Sequence, residues 1–373
     1  MTAVFVVNSG SSSLKYRLLE VESGEVWFTG TIERIGEAGH PADHTEAMVE
    51  VLRQLEASGA SVSAVGHRVV HGGSEFDRAT LIDADVEATI DRLGALAPLH
   101  NPANLLGIRA ARAALPDVPH VAVFDTAFHQ TMPEEAYTYA IDRELAAEHG
   151  VRRYGFHGTS HKYVSERAAA FLGRDLAELK IIVLHLGNGA SVTAIDGGRS
   201  VDTSMGLTPL QGLVMGTRSG DIDPAVLIHL HRVAGLDVDE LDALLNRRSG
   251  LLGLTGSGDM RDVQRAAAEG DEQALLALAV WRHRIKHYLG AYIAQLGGVD
   301  AVVFTAGVGE NNALLRRRSL SGLGFLGLEI DDDRNELSSR TERRISPDRA
   351  AVEVLVIPTD EELEIARQTL AAV

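Results

Sequence analysis

One strand–turn–strand pattern occurs twice in this chain. Val4-Phe5-Val6-Val7-Asn8-Ser9-Gly10 runs through a serine-rich turn into Leu14-Lys15-Tyr16-Arg17-Leu18-Leu19 and the tight turn Ser23-Gly24. Near the middle, Ile181-Ile182-Val183-Leu184-His185-Leu186-Gly187 runs through Asn188-Gly189-Ala190-Ser191 into Val192-Thr193-Ala194-Ile195 and the turn Asp196-Gly197-Gly198. In each copy an apolar, β-branched strand breaks into small and polar residues. Such a turn lets backbone N–H groups approach an anion, with hydroxyls and, in the first copy, the Lys15 ammonium adding donors. The spacing is not that of the common nucleotide loop, G-x-x-x-x-G-K-[ST]. Either copy alone reads equally well as an ordinary hairpin turn; the repetition favours a phosphate cradle. Two such halves facing each other predict anion-binding hairpins on opposite walls of one cleft.

The rest of the chain alternates strand-like and helix-like runs, which is α/β patterning. Strands are predicted at 4–7, 62–66, 120–124, 181–184, 301–304 and 352–357. Asn101-Pro102 reads as an N-cap with Pro at the first helical position, opening a helix to about Ala114. Thr159 or Ser160 reads as the cap of a helix ending before Gly173, and the longest helical pattern runs from about Glu272 to Leu296 before Gly297-Gly298. No linker of biased composition divides the 373 residues, so the domain boundary is expected in an ordinary loop near Gly150. The formal charge of −17 argues against nucleic acid and anionic membrane as standing partners. With no cysteine, thiolate catalysis, disulfides and Cys-zinc sites are excluded. No basic leader or long apolar run is apparent, so a cytoplasmic enzyme is the expectation.

Further polar segments follow strand-like runs, where open α/β sheets bind ligands. Gly66-His67-Arg68-Val69-Val70-His71-Gly72-Gly73 places an Arg in a strand before glycines, and the strand 121–124 ends abruptly in Asp125. Phe156-His157-Gly158, Gly216-Thr217-Arg218-Ser219-Gly220, Gly256-Ser257-Gly258-Asp259-Met260-Arg261 and Gly307-Val308-Gly309-Glu310-Asn311 set charged or polar groups among glycines. Arg on a glycine-flanked loop suits a clamp on a transferring phosphoryl group, and strand–Gly-x-Gly–helix suits a nucleotide. H-x-x-x-H occurs at His67/His71, His157/His161 and His283/His287, but helical placement with a carboxylate is lacking, so Mg²⁺ with phosphate is favoured over zinc.

Eight phrases together, NSGSSSLK, GHRVVHGG, LAPLHNP, FDTAFH, YGFHGTSH, HLGNGAS, MGTRSGDIDP and TDEELEIA, resemble the acetate kinase family in order along essentially the whole chain. The resemblance implies a duplicated ribonuclease-H-like (actin-like ATPase) α/β fold with two domains around a central cleft. It implies an N-terminal domain of 1–150 plus 360–373, a C-terminal domain of 151–359, and a homodimer. It also implies reversible phosphoryl transfer between ATP and acetate, giving ADP and acetyl phosphate, with Mg²⁺ or Mn²⁺. Carried over residue by residue, Asp125, His157 and Arg218 are the expected catalytic residues, and Arg68, Val70, Leu99, Phe156 and Pro209 the expected acetate site. Lys15, His185, Leu186, Gly187, Asn188, Gly189, Asp259, Met260, Arg261, Gly307, Val308, Gly309, Glu310 and Asn311 are expected at ATP, and Asn8 and Glu361 at the metal. The chain has Asp360 where the family usually has Asn. A propionate or butyrate kinase would share most of these phrases, whereas a non-enzymatic ATPase clamp would lack Arg68 and Arg218 in their motifs.

Overall fold

The computed structural model describes every residue except Met1, Ser11, Ala38 and Leu99, and every side chain except theirs and those of Glu56, Ala57 and Ser58. The chain forms two compact units: Met1–Gln130 with Phe156–Tyr163 and Asp360–Val373, and Thr131–Gly155 with Val164–Thr359.

The first unit contains β1 (Ala3–Ser9), β2 (Ser13–Glu20), β3 (Val26–Glu33), β4 (Ala64–Val69), β5 (Thr80–Leu81) and β6 (His120–Phe124), in the sheet order β3-β2-β1-β4-β6-β5. β1, β2 and β3 form an antiparallel meander, whereas β1, β4 and β6 run parallel. Val4 to Val7 and Val121 to Phe124 are buried on both faces, which is why they read as unbroken apolar runs rather than alternating ones. The helix Glu361–Ala372 packs on β4 at Gly66, where any Cβ would overlap Thr369 and sit 2.9 Å from Ile365. Asp360 caps that helix by accepting from the Leu363 amide, and its carboxylate also pairs with Arg17 at 2.8 Å. An Asp therefore caps here as Asn would and adds a tether to β2.

The second unit repeats the topology. β7 (Lys180–Leu186), β8 (Ala190–Asp196), β9 (Arg199–Thr203), β10 (Ala301–Thr305), β11 (Arg343–Arg344) and β12 (Glu353–Val356) follow the order β9-β8-β7-β10-β12-β11. Directions match strand for strand, and even the register irregularity at Leu18/Leu19 has its counterpart at Ala194/Ile195. This is the duplicated ribonuclease-H-like α/β fold. The helix Glu272–Leu296 has the expected bounds and stops at Gly297 in the left-handed conformation.

Three local expectations are corrected. The cap of the helix Asn101–Ala114 is His100, not Asn101, because the Asn101 amide is engaged with the His71 backbone. The helix Gly158–Leu172 begins ahead of Thr159 and Ser160, which lie in its first turn. Gly307 and Gly309 fall inside the helix Ala306–Asn311 instead of preceding it. Among the described residues no helix is long and apolar enough to cross a membrane.

Candidate active site

In the first unit, the parallel strands β1, β4 and β6 end at one edge of the sheet, and each ends in a polar group. Asn8 is half-buried near the end of β1, Arg68 lies on β4, and Asp125 follows β6. The register Arg68↔Val123 brings the last two together. Arg68 donates to both Asp125 oxygens, Nε to Oδ1 at 2.9 Å and Nη2 to Oδ2 at 2.6 Å, a bidentate fork. Asp125 is buried and Arg68 recessed. Burial alone would depress the Arg68 pKa, but Asp125 and Glu361 together raise it, so the guanidinium is held firmly charged. Glu361, on the first turn of the C-terminal helix, lies 4.0 Å from Arg68 Nε. Burial pushes its carboxyl up to about 7; Arg68 opposes the shift, and the carboxylates of Asp125, Glu362 and Asp360 add to it.

Phe156, His157 and Gly158 belong to this unit as well. The Gly158 amide donates to the Asp125 carbonyl at 2.8 Å, which sets His157 beside the Asp125 backbone. His157 has φ +58°, a left-handed conformation that a non-glycine residue adopts at a cost of order 1 kcal/mol and keeps only where its surroundings enforce it. Val70 and Phe156 are buried, and the His71 ring meets Phe156 edge-on at 5.5 Å. Lys15 is exposed on β2 opposite Asn8. Leu99 lies outside the described residues.

The second unit holds a cavity of about 930 Å³, wide enough for a nucleotide. Its walls include Gly187, Asn188, Asp259, Met260, Arg261, Gly307, Val308, Glu310 and Asn311 from the sequence expectation. His185, Leu186, Gly189 and Gly309 do not line it: the Leu186 side chain is in the core, Gly309 is buried in its helix, and the Gly189 carbonyl accepts from Gly187 N. Sequence reasoning missed Gln264, Asn312, Arg316, Asn335 and Arg343, which are among the other residues of the walls. The buried Arg316 donates to Gly309 O at 2.8 Å, Glu310 O at 2.9 Å and Asn335 O at 2.7 Å, joining the Gly-x-Gly helix to the 335–339 segment. Burial, with Arg343 adding repulsion, lowers its pKa to about 10, so it stays charged at neutral pH.

Arg218 sits on a loop of this unit closed by its own backbone, with Met215 N donating to Arg218 O and Asp221 N to Gly212 O. The Asp221 carboxylate accepts from Gly212 N and from Tyr288 OH on the helix Glu272–Leu296, pinning the loop to that helix. Arg218 Nη1 donates to the Pro209 carbonyl at 3.1 Å. Among the described residues no carboxylate stands within ion-pair distance of it, and burial lowers its pKa. A desolvated guanidinium with donors unspent is suited to an anion that arrives during reaction.

The model of the Acetokinase family matches residues 3–367. The chain belongs to the acetokinase family. An acetate kinase from Clavibacter michiganensis subsp. michiganensis is 66% identical over 393 aligned positions, covering 100% of this chain and 99% of that one. The crystal structure of a Porphyromonas gingivalis acetate kinase superimposes with TM-score 0.95 at 44% identity, and that of a Francisella tularensis propionate kinase with TM-score 0.93 at 43%; both alignments cover 100% of each chain. The acetokinase fold therefore extends over the whole chain and is shared by enzymes named for two different acids.

Proposed function

We propose that this chain transfers the γ-phosphoryl group of ATP to acetate, reversibly, giving ADP and acetyl phosphate. In this reading the first unit holds the acid and a divalent cation and the second holds the nucleotide. The observation that carries it is the recessed Arg68, charged and oriented by Asp125 with only two of its five N–H donors spent on that fork. Three donors are left for an incoming carboxylate. Acetate resembles a Glu side chain of pKa ~4.3 and is already ionised at neutral pH, so the nucleophile needs no general base. The obstacle is one anion approaching another, and catalysis is positioning with charge neutralisation. Arg68 orients the acid, while Arg218 and His157 stabilise the transferring phosphoryl. Both Asp125 oxygens are committed to Arg68, which supports a role in holding the guanidinium rather than in moving a proton.

The donor set fits Mg²⁺. Asn8 and Glu361 offer hard oxygens, and burial raises the Glu361 carboxyl to about 7 although Arg68 partly offsets it, so a second cation would favour its ionised form. Among the described residues no group of three His, Asp or Glu is set to hold a metal, so the remaining ligands would be water and phosphate. Bound Mg²⁺ supplies neutralisation of the phosphate charge. The sign of the pH dependence follows: below pH 7 the cation must displace a proton from Glu361, above pH 7 it need not. The Mg²⁺ concentration for half-maximal activity should rise by about tenfold per pH unit below 7 and flatten above it. A half-saturation value constant from pH 5.5 to 8.5 would count against Glu361 at the metal. The same reading includes a homodimer, as the resemblance to the family implies.

Propionate is the second reading for the acid, favoured by the likeness to the propionate kinase. A hydroxamate-trap assay with ATP, Mg²⁺ and acetate, propionate or butyrate decides it. If Val70 and Phe156 fit one methyl group, each added methylene should cost roughly 10–200-fold in kcat/KM, leaving propionate measurable and butyrate poor. Val70→Ala should then improve propionate relative to acetate. Equal use of butyrate by the unaltered enzyme would move the assignment to a longer acid, and unaltered ratios in Val70→Ala would make Val70 ordinary core.

A further inference from the structure

The parallel ladder between β1 and β4 stops at Val7↔His67, just before the residues that matter. Beyond that rung lie Asn8 and Ser9 on one strand, and Arg68 and Val69 on the other with Val70 just past its end. The gap is bridged from outside the sheet. Asn104, buried on the helix Asn101–Ala114, donates from Nδ2 to the Ser9 carbonyl at 2.7 Å and accepts at Oδ1 from the Val70 amide at 3.0 Å. One side-chain amide thus supplies a donor and an acceptor where the next backbone rung would have been. The helix is seated to do this: at Gly107, less than one turn on, any Cβ would overlap the Ser9 side chain. Asn101, also buried, pairs with the His71 backbone alone, through Nδ2 to O at 2.9 Å and N to Oδ1 at 3.1 Å.

We propose that Asn104 is a positioning residue that fixes the spacing between the metal-holding end of β1 and the acid-holding end of β4, coupling the affinities for the two ligands. The inference rests on the reading above, in which Asn8 is at the metal and Arg68 and Val70 at the acid. The chemistry is specific to an amide. Asp has the same shape but no N–H, and its charged oxygen would face the Ser9 carbonyl, so one strand end is released while Val70 keeps its acceptor. Asn101 touches only the acid side, so its loss leaves the β1 end in place.

The test is steady-state kinetics of Asn104→Asp, Asn101→Ala and Asn8→Ala, with acetate, Mg²⁺ and ATP each varied. Asn104→Asp should raise both the KM for acetate and the Mg²⁺ half-saturation by on the order of tenfold, because a buried carbonyl loses its partner. The KM for ATP, set in the second unit, should stay within about twofold, which a general loss of folding would not produce. Asn101→Ala should raise the KM for acetate alone. If Asn104→Asp does not fold, Asn104→Ser, with a hydroxyl too short to span both groups, serves the same purpose. Unchanged acetate and Mg²⁺ dependence at position 104, with Asn8→Ala still raising the Mg²⁺ requirement, would overturn the clamp and leave the site reading intact. An unchanged Mg²⁺ requirement in Asn8→Ala would remove the site reading and the clamp with it.

Discussion

Arg218→Ala should lower kcat by on the order of 10³-fold while leaving the KM for ATP nearly unchanged. The reason lies in what the guanidinium touches before reaction. Its recorded partners are a backbone carbonyl and, at 3.7 Å, the Met215 sulfur, neither of which answers its charge. It does not line the cavity proposed for the nucleotide, so on that reading ground-state ATP binding should not depend on it. A group that meets its counter-charge only as the phosphoryl moves contributes to kcat and little to KM. Arg218→Lys keeps the charge but loses the planar fork, and should fall between the two. The loop has its own supports at Asp221 and Tyr288, so the melting temperature should hardly move. The measurement is initial rates with calorimetric ATP titration. Nucleotide affinity that collapses while kcat survives would make Arg218 a binding residue instead.

Much of this arrangement is written locally in the sequence. A strand that breaks into a Gly turn is a short-range signal, and its repetition reveals the duplicated fold because each half must build the same meander before its parallel strands. The helix Glu272–Leu296 is legible for a similar reason, since its period and its terminal Gly297 lie on contiguous residues. What sequence does not carry is partnership across the sheet. Asp125 looks like a helix cap or a catalytic acid until β4 and β6 are known to be neighbours, whereupon it becomes the fork that holds Arg68. Asn101 reads as a cap for the same reason: its competing partner, the His71 backbone, lies 30 residues away. The far wall of the cavity is the extreme case. Arg316, Asn335 and Arg343 have no motif, and they reach it through side-chain bonds to backbone carbonyls that no spacing encodes.

Removing the Asp125 carboxylate should be nearly as damaging as removing Arg218, through a different parameter. Truncating one partner of a buried, hydrogen-bonded charge pair in a binding site costs about 2–5 kcal/mol, or roughly 10²–10³-fold near the middle of that range at ~1.4 kcal/mol per decade. Asp125→Ala should lower kcat/KM for acetate by on the order of that factor. Arg68 would be left with Glu361, now 4.0 Å from its Nε, as its nearest carboxylate. Closing that distance takes the Arg68 fork away from the acid and Glu361 away from the cation, so the Mg²⁺ requirement should rise in the same variant. The Glu361 carboxyl should also titrate below its present value of about 7, because a closer Arg68 favours the anion and the repulsion from Asp125 is gone. Asp125→Asn separates positioning from proton transfer. An amide oxygen still accepts one N–H from Arg68, so a positioning role predicts that Asn retains more activity than Ala and that, at saturating Mg²⁺, both limbs of the kcat profile remain. A proton-transfer role predicts that Asn and Ala are equally inactive and that one limb of the kcat profile disappears. Kinetics of both variants from pH 5.5 to 8.5 distinguish the two, and a lost limb would return Asp125 to the chemistry itself.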